Sequence, residues 1–416
     1  MIKPWPTKKL EEIILDIGDG GTPSTKIKEY FDGNIPWVNV EDIKPEIRET
    51  KRYLSELGLK NCSAKLWPRD TVIFSFGASI GKVGIAKVEL CTKQGIAGIV
   101  ADTTKVLPKY LYYSLINVAP FIVEISKGMG STIKEVRPNK LVNLIELPLP
   151  PLPIQQKIVK ILDTIQEAID VQEKIIEKTK ELKKSLMNLL FHYGVAGLRV
   201  KELASLQVGK LKSEEIEKLG LKLKKTEIGE IPEHWEVVRL GEVFKIVAGG
   251  DISKINFSPV KTEKFTYPIY SNTIENKGLY GYSDTYQFKE GCITVTARGT
   301  IGYAFPRFEK FNAIIRLLVL IPKMNLNIIY VSEFINEKIR VAFENTSVPQ
   351  LTVPRFSTFK IPLPPIPEQQ EIAEILQTID QKIEIEKRKK ELYEELFKTM
   401  LNKIMSQEIN INLLNY

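Results

Sequence analysis

The sequence predicts an α+β protein: two similar globular domains separated by a pair of long antiparallel coiled-coil helices, related by a pseudo-two-fold internal repeat. Three observations lead there. A proline knot running into a helix occurs twice, as LPLPPLPIQQKIVKILDTIQEAI from Leu147 and IPLPPIPEQQEIAEILQTIDQKI from Ile361. The copies share 13 of 23 positions at an offset of 214 residues, without a gap. After each knot the apolar residues step by three and four, the helical period. Ahead of each knot, short β-branched and aromatic runs alternate with Gly, Pro and Asn, the pattern of strand-rich domains.

In chain order, residues 1–146 form the first domain, opening with WPTKKLEEI at Trp5. Residues 147–193 carry the knot and a central helix with apolar positions Ile158, Leu162, Ile165, Ile169 and Ile176, continued by Leu182, Leu186 and Leu190. Pro153 suits the first helical turn, where its missing N–H costs nothing, and the Leu-Pro alternation before it is extended. Residues 194–227, polar, Lys-rich and Gly-punctuated, read as a connector with one short helix. Residues 228–360 form the second domain, where WEVVRLGEV at Trp235 echoes Trp5, IVAGGDIS echoes IGDGGTPS, and ITVTARGTIGYAF echoes TVIFSFGASIGKVGIA. Residues 361–416 repeat the knot and end in a helix striped by Ile372, Leu376, Ile379 and Ile383, then Tyr393, Phe397, Met400 and Ile404. Neither stripe is buried by its own half, so the two helices are expected to pack on each other.

Composition narrows the function. The chain has 416 residues, formal net charge +8, three cysteines and two histidines. An odd, scattered set of cysteines points to a reducing cytoplasm, and no metal-ligand spacing can be assembled. No apolar run has transmembrane length, and the start lacks the apolar stretch of a signal peptide. The helical stretches 154–191 and 368–405 sum to −1, which leaves +9 for the remainder and makes a polyanion a candidate partner.

Motifs that suggest chemistry are weak. GASIGKV at Gly77–Val83 has three residues before Gly-Lys instead of the four of a phosphate-binding loop, and Val83 follows where Ser or Thr is needed. A glycine-permitted turn between strands explains it better. GDGGTPST at Gly18–Thr25 reads first as a structural turn, with a phosphate-facing role for its N–H groups and hydroxyls as the alternative. No nucleophile has a partner base, and Glu181-Leu182-Lys183 is explained by surface charge on a helix.

The doubled PLPPxPxQQxI with its long helix, the TEIGEIPEHWEVVRLGEV entry to the second half and GGTPS…IPWVNVEDI in the first resemble the specificity subunits of type I restriction–modification systems over essentially the whole chain. The resemblance implies that each domain is a target-recognition domain for one half of a split DNA sequence. It implies that the coiled coil fixes the spacer and docks two methyltransferase subunits, with restriction subunits joining. It also implies that S-adenosylmethionine, ATP and Mg²⁺ act on those partners, none on this chain. Members often carry Arg-Gly-Ser/Thr-Ile-Gly in the glycine turn; the second half keeps it at Arg298–Gly302, whereas the first has Gly77 in place of the arginine.

The expectation is therefore a non-catalytic, sequence-specific DNA-recognition subunit; the alternative is a coiled-coil scaffold that binds protein alone. Candidate phosphate contacts are Lys26, Lys28, Lys93, Lys134, Lys254 and Arg307. Candidate base readers are Ser75, Ser79, Lys82, Gln94, Arg298, Thr300, Tyr303 and Gln350, because Arg, Lys, Gln and Ser/Thr suit groove edges. Thr22, Ser24 and Ser253 are hydroxyl candidates in the Gly-rich turns. Gln155, Gln156, Gln369 and Gln370 are candidates for docking the partner subunits.

Overall fold

The computed structural model describes residues 4–77, 79–128, 143, 145–199, 220–251, 256–340, 350–409 and 411. The chain divides into two units, Met1–Glu173 with Arg388–Tyr416, and Lys174–Lys387.

Each unit is built on the same antiparallel sheet. In the first unit the order is Ile14–Gly18, Ile96–Ala101, Val72–Ser75, Val83–Ala86, with Glu46–Ile47 added in parallel at the edge. In the second it is Phe244–Ala248, Leu318–Pro322, Cys292–Val295, Ala304–Arg307. A smaller sheet accompanies each, centred on a parallel pair: Ile35–Val38 with Leu90–Thr92 in the first unit, Tyr267–Tyr270 with Asn312–Ala313 in the second. A helix packs on each main sheet, Pro108–Gly128 in one and Ile328–Phe334, extended by a wider turn over Ile335–Ile339, in the other.

The proline knots do more than deliver the chain into the helices. Glu146–Pro148 pairs antiparallel with Thr7–Lys9, and Lys360–Leu363 pairs with Glu236–Arg239. Both opening strands turn through a matching cap, in which the Lys9 N–H donates to Glu12 and the Arg239 N–H to Glu242. Their ends are tied alike, Leu10 N–H to the Ile145 carbonyl and Leu240 N–H to the Phe359 carbonyl, each at 2.9 Å. Tyr110 and Tyr330 then hydrogen-bond to the carbonyls of Pro148 and Pro362 at 2.7 and 3.0 Å. Proline's own C=O remains an acceptor even though it lacks a donor, so the knot pairs without a full ladder.

The long helices run Leu152–Tyr193 and Ile366–Met405, with Pro153 and Pro367 in their first turns. In the first unit's core Ile158, Ile161 and Leu162 lie with Leu401, Ile404 and Met405. In the second unit's core Met187, Leu190 and Phe191 lie with Ile372, Ala373 and Leu376. The start of each helix thus meets the end of the other, and the pair is antiparallel. Leu182 and Tyr393 depart from the expected stripe and are exposed. Lys183, read as a surface charge, is instead half-buried. Its Nζ bridges Glu333 at 2.9 Å and Asp380 at 2.8 Å, tying the second unit's domain helix to both long helices.

The expected boundary at residue 227 falls inside a hairpin, Leu223–Thr226 paired with Gly229–Pro232, so the connector is structured at its C-terminal end. Gly229 takes φ +113 at its turn.

Candidate DNA-recognition surface

The two glycine turns are the same object built twice. In the first unit the Ser75 hydroxyl donates to the Ser79 carbonyl and accepts from the Lys82 N–H at 2.9 Å. In the second the Thr296 hydroxyl donates to the Thr300 carbonyl and accepts from the Tyr303 N–H at 3.0 Å. The backbone agrees: Gly81 N–H bonds the Ser75 carbonyl at 2.9 Å and Gly302 N–H the Thr296 carbonyl at 2.8 Å. Gly81 and Gly302 sit at φ +96 and +89, open to glycine and strained for other residues. Ser75 is fully buried and spends its hydroxyl on the turn, so it fastens the loop and is no base reader.

What each turn presents outward differs. Ser79 and Lys82 are exposed in the first unit, with Lys82 Nζ reaching the Val40 carbonyl at 3.1 Å. Arg298 and Thr300 are exposed in the second, and Tyr303 is half-buried. Arg298 Nη2 donates to Gln350 Oε1 at 3.1 Å, bringing two candidates from distant sequence together. Tyr303 lies beneath the Arg340 guanidinium at 4.8 Å, a cation–π contact that adds a positive group to this face.

Beside the first glycine turn runs a groove of about 420 Å³ whose lining includes Asn39, Arg52, Gly77, Lys93 and Gln94. Lys93 and Gln94 are exposed there. Lys93 also leans over the Trp37 ring at 5.9 Å. Arg52, absent from the sequence candidates, also borders a neighbouring groove of about 450 Å³ with Thr25 and Lys51. No motif singles it out.

The glycines of the Gly-rich turn serve the fold. Gly20 and Gly21 N–H groups bond the carbonyls of Ile96 and Thr92 at 3.1 and 2.9 Å. A Cβ on Gly20 would fall 2.1 Å from the Thr92 carbonyl oxygen, which only glycine avoids. Thr22, Ser24, Lys26 and Lys28 follow it on the exposed surface. Lys134, Ser253 and Lys254 lie outside the described residues.

Three further candidates are corrected by burial. Arg307 is 3% exposed, so it is no phosphate clamp. Its guanidinium stacks 3.4 Å from the Tyr270 ring and donates to Thr294 Oγ1 at 2.8 Å and the Lys277 carbonyl at 2.7 Å. Burial pulls its pKa down to about 10, still a cation at neutral pH. Gln155 and Gln369 are also buried, and neither amide is available to a partner subunit. Gln155 accepts from the Leu107 N–H and donates to the carbonyls of Lys105 and Pro150, all at 2.9 Å. Gln369 accepts from the Asn327 N–H at 2.9 Å and donates to the Pro364 carbonyl at 2.8 Å. Leu107 and Asn327 immediately precede the two domain helices, so each glutamine buttons a long helix to its domain. Gln156 and Gln370, one residue on, are exposed.

Burial also quiets the thiols, pushing Cys91 up to about 12 and Cys292 to about 11. Among the described residues no group of three His, Cys, Asp or Glu side chains is placed to hold a metal ion, and no helix is long and apolar enough to cross a membrane.

Each unit thus repeats a four-stranded antiparallel sheet and a hydroxyl-fastened glycine turn, with different side chains displayed on the turn. The family model described as the type I restriction modification DNA specificity domain matches the chain twice, over residues 2–181 and 232–395. The chain belongs to this family. It is 29% identical over 415 residues to the type I restriction enzyme MjaIX specificity subunit of Methanocaldococcus jannaschii, covering 92% of this chain and 88% of that one. To the MjaVIII specificity subunit of the same organism it is 25% identical, covering 99% and 94%. The fold is shared with the type I restriction–modification S subunit from M. genitalium, at TM-score 0.58 and 18% identity over 96% of each chain. It is shared equally with a chain from a type I system solved to describe its complex assembly and conformational transition, at TM-score 0.59 and 18% identity over 97% and 98%.

Proposed function

We propose that this chain is the DNA-recognition subunit of a type I restriction–modification complex, non-catalytic in itself, and that each unit reads one half of a bipartite duplex sequence. The observation that carries the reading is the pair of identically fastened glycine turns in a member of this family. Their buried Ser75 and Thr296 hold the backbone constant while the displayed side chains differ, exposed Ser79 and Lys82 in one, exposed Arg298 and Thr300 with half-buried Tyr303 in the other. Constant backbone with variable display suits base-edge readout, in which Arg pairs with guanine and Gln with adenine. Exposed Lys26, Lys28 and Lys93 suit phosphate contacts, which position the protein without specifying sequence.

The long antiparallel helices set the unread spacer in this reading, and their outer faces, including Gln156 and Gln370, are open to methyltransferase subunits, with restriction subunits joining that core. Methyl transfer from S-adenosylmethionine and ATP- and Mg²⁺-dependent cleavage belong to those partners, in the cytoplasm. The test is selection from a random duplex pool by this chain in complex with its methyltransferase partner. Two short specified blocks flanking a fixed unspecified gap are expected. Enrichment of no sequence, with binding governed by salt alone, would leave only the scaffold or a non-specific binder.

A further inference from the structure

The turn following the smaller sheet's parallel pair is duplicated as faithfully as the glycine turn. Lys93 N–H bonds the Val38 carbonyl and Ile314 N–H the Tyr270 carbonyl, both at 3.0 Å. Ile96 N–H returns to the Lys93 carbonyl and Leu317 N–H to the Ile314 carbonyl, both at 3.1 Å. The equivalence sets Gln94-Gly95 in the first unit against Ile315-Arg316 in the second. Gly95 takes φ +88, as glycine readily does. The second unit keeps the left-handed backbone without a glycine at Arg316, φ +58, and extends it to Ile315, φ +54, where the first unit's Gln94 is not left-handed. A β-branched residue in that region is a true outlier, and strain of this kind persists where the surrounding structure enforces it and clusters at functional sites.

Folding gains nothing visible from these two side chains. Ile315 is 46% exposed, and the exposed Arg316 guanidinium makes no hydrogen bond or ion pair among the described residues. The turn is nevertheless held firmly. Ile315 N–H donates to the Gly250 carbonyl at 3.0 Å. Asn272 Nδ2 donates to the Ile315 carbonyl while its Oδ1 accepts from the Ala297 N–H at 2.6 Å. Ala297 precedes Arg298, so one amide ties the strained turn to the loop that carries the candidate arginine. In the first unit the equivalent turn, through Lys93, Gln94 and Gly95, walls the groove beside Gly77.

We propose that Arg316 is a base-reading residue of the second unit, presented by a strained turn to a guanine in that unit's half-site, with Asn272 as the positioning residue that fixes it relative to Arg298. The proposal rests on the recognition reading above and names a reader within it. An exposed guanidinium with no hydrogen-bond or ion-pair partner among the described residues, carried on a held turn, has two parallel donors available for guanine O6 and N7.

The test uses the full chain in complex with its methyltransferase partner, and duplexes in which each position of both selected half-sites is varied singly. Arg316→Gly is expected to reduce guanine preference at one position of one half-site by roughly 5- to 150-fold, with Arg316→Lys intermediate and the other half-site unchanged. The melting temperature of Arg316→Gly is expected to equal or exceed that of the parent, because glycine occupies φ +58 without strain. Equal weakening on every sequence would make Arg316 a phosphate contact and overturn the proposal, as would unchanged discrimination. A lowered melting temperature with both half-sites lost would assign the turn to folding instead. A parent complex that selects no sequence at all fails the recognition reading first, and is told apart by the parent's own profile.

Discussion

Replacing Gln155 by Leu removes a nearly isosteric amide from a fully buried site and strands the three groups it serves: the Leu107 N–H and the carbonyls of Lys105 and Pro150. A stranded buried group costs about 1–3 kcal/mol, and because two of the three hydrogen bonds are only partly buried, the change is expected to cost about 3–5 kcal/mol locally, the lower part of that threefold range. At 1.4 kcal/mol per decade the amide of Leu107 and those of the following helical turn should exchange with solvent roughly a hundredfold faster or more. Hydrogen-exchange mass spectrometry reads this locally, without assuming that a two-unit chain unfolds in one step. Gln156→Ala, at the exposed neighbour, should stay within about 0.5 kcal/mol. The reasoning fails if Gln155→Leu leaves protection intact while methyltransferase association is lost, since that result would make Gln155 a docking residue.

Arg307→Ala should destabilise the second unit by more than about 2 kcal/mol, by stranding Thr294 and the Lys277 carbonyl under Tyr270, and should leave the salt dependence of DNA binding unchanged; thermal melting and a salt titration check the two halves of the claim. Lys183→Met should cost about 3–5 kcal/mol at neutral pH by leaving Glu333 buried without its cation. Burial raises Glu333 above the usual carboxylate range, so the folded state takes up its proton first; the variant should therefore recover stability as pH falls through that raised value, which melting between about pH 7 and pH 4.5 would show. Lys183 itself, lowered by burial but raised overall by its two carboxylates, contributes stability that is present below its ordinary value and lost as pH rises through the elevated one. Thr296→Val strands the Tyr303 N–H and the Thr300 carbonyl; it should loosen the turn by about 1–3 kcal/mol and blur selection in one half-site alone.

The repeat, the two helices and the glycine turns were legible because they leave periodic or duplicated traces. The Leu-Pro alternation announced an extended segment, but its pairing with Thr7–Lys9 and Glu236–Arg239 depends on chain brought from far away. The glutamine pair was visible as a repeat without a meaning: an amide's identity does not reveal that its partner is the backbone just ahead of a helix 48 residues upstream in one unit and 42 in the other. Arg307 misled because a basic residue in AFPRFEK resembles a solvated strand end, and only the Tyr270 ring and the Lys277 carbonyl above it make it an interior group. The hairpin at Leu223–Pro232 was masked by lysine content, since adjacent Lys224 and Lys225 beside Gly229 look like a linker by composition. Ile315 and Arg316 give no local sign of a left-handed backbone, because neither residue type favours it.

The most direct test of the central claim, that the two units read separate half-sites held at a distance by the helices, is to delete seven residues from each long helix and repeat the duplex selection. Seven residues shorten a helix by about 10.5 Å, or about three base pairs at about 3.4 Å each. The account predicts the same two specified blocks with a gap shorter by about three base pairs. The same blocks at an unchanged gap would contradict it.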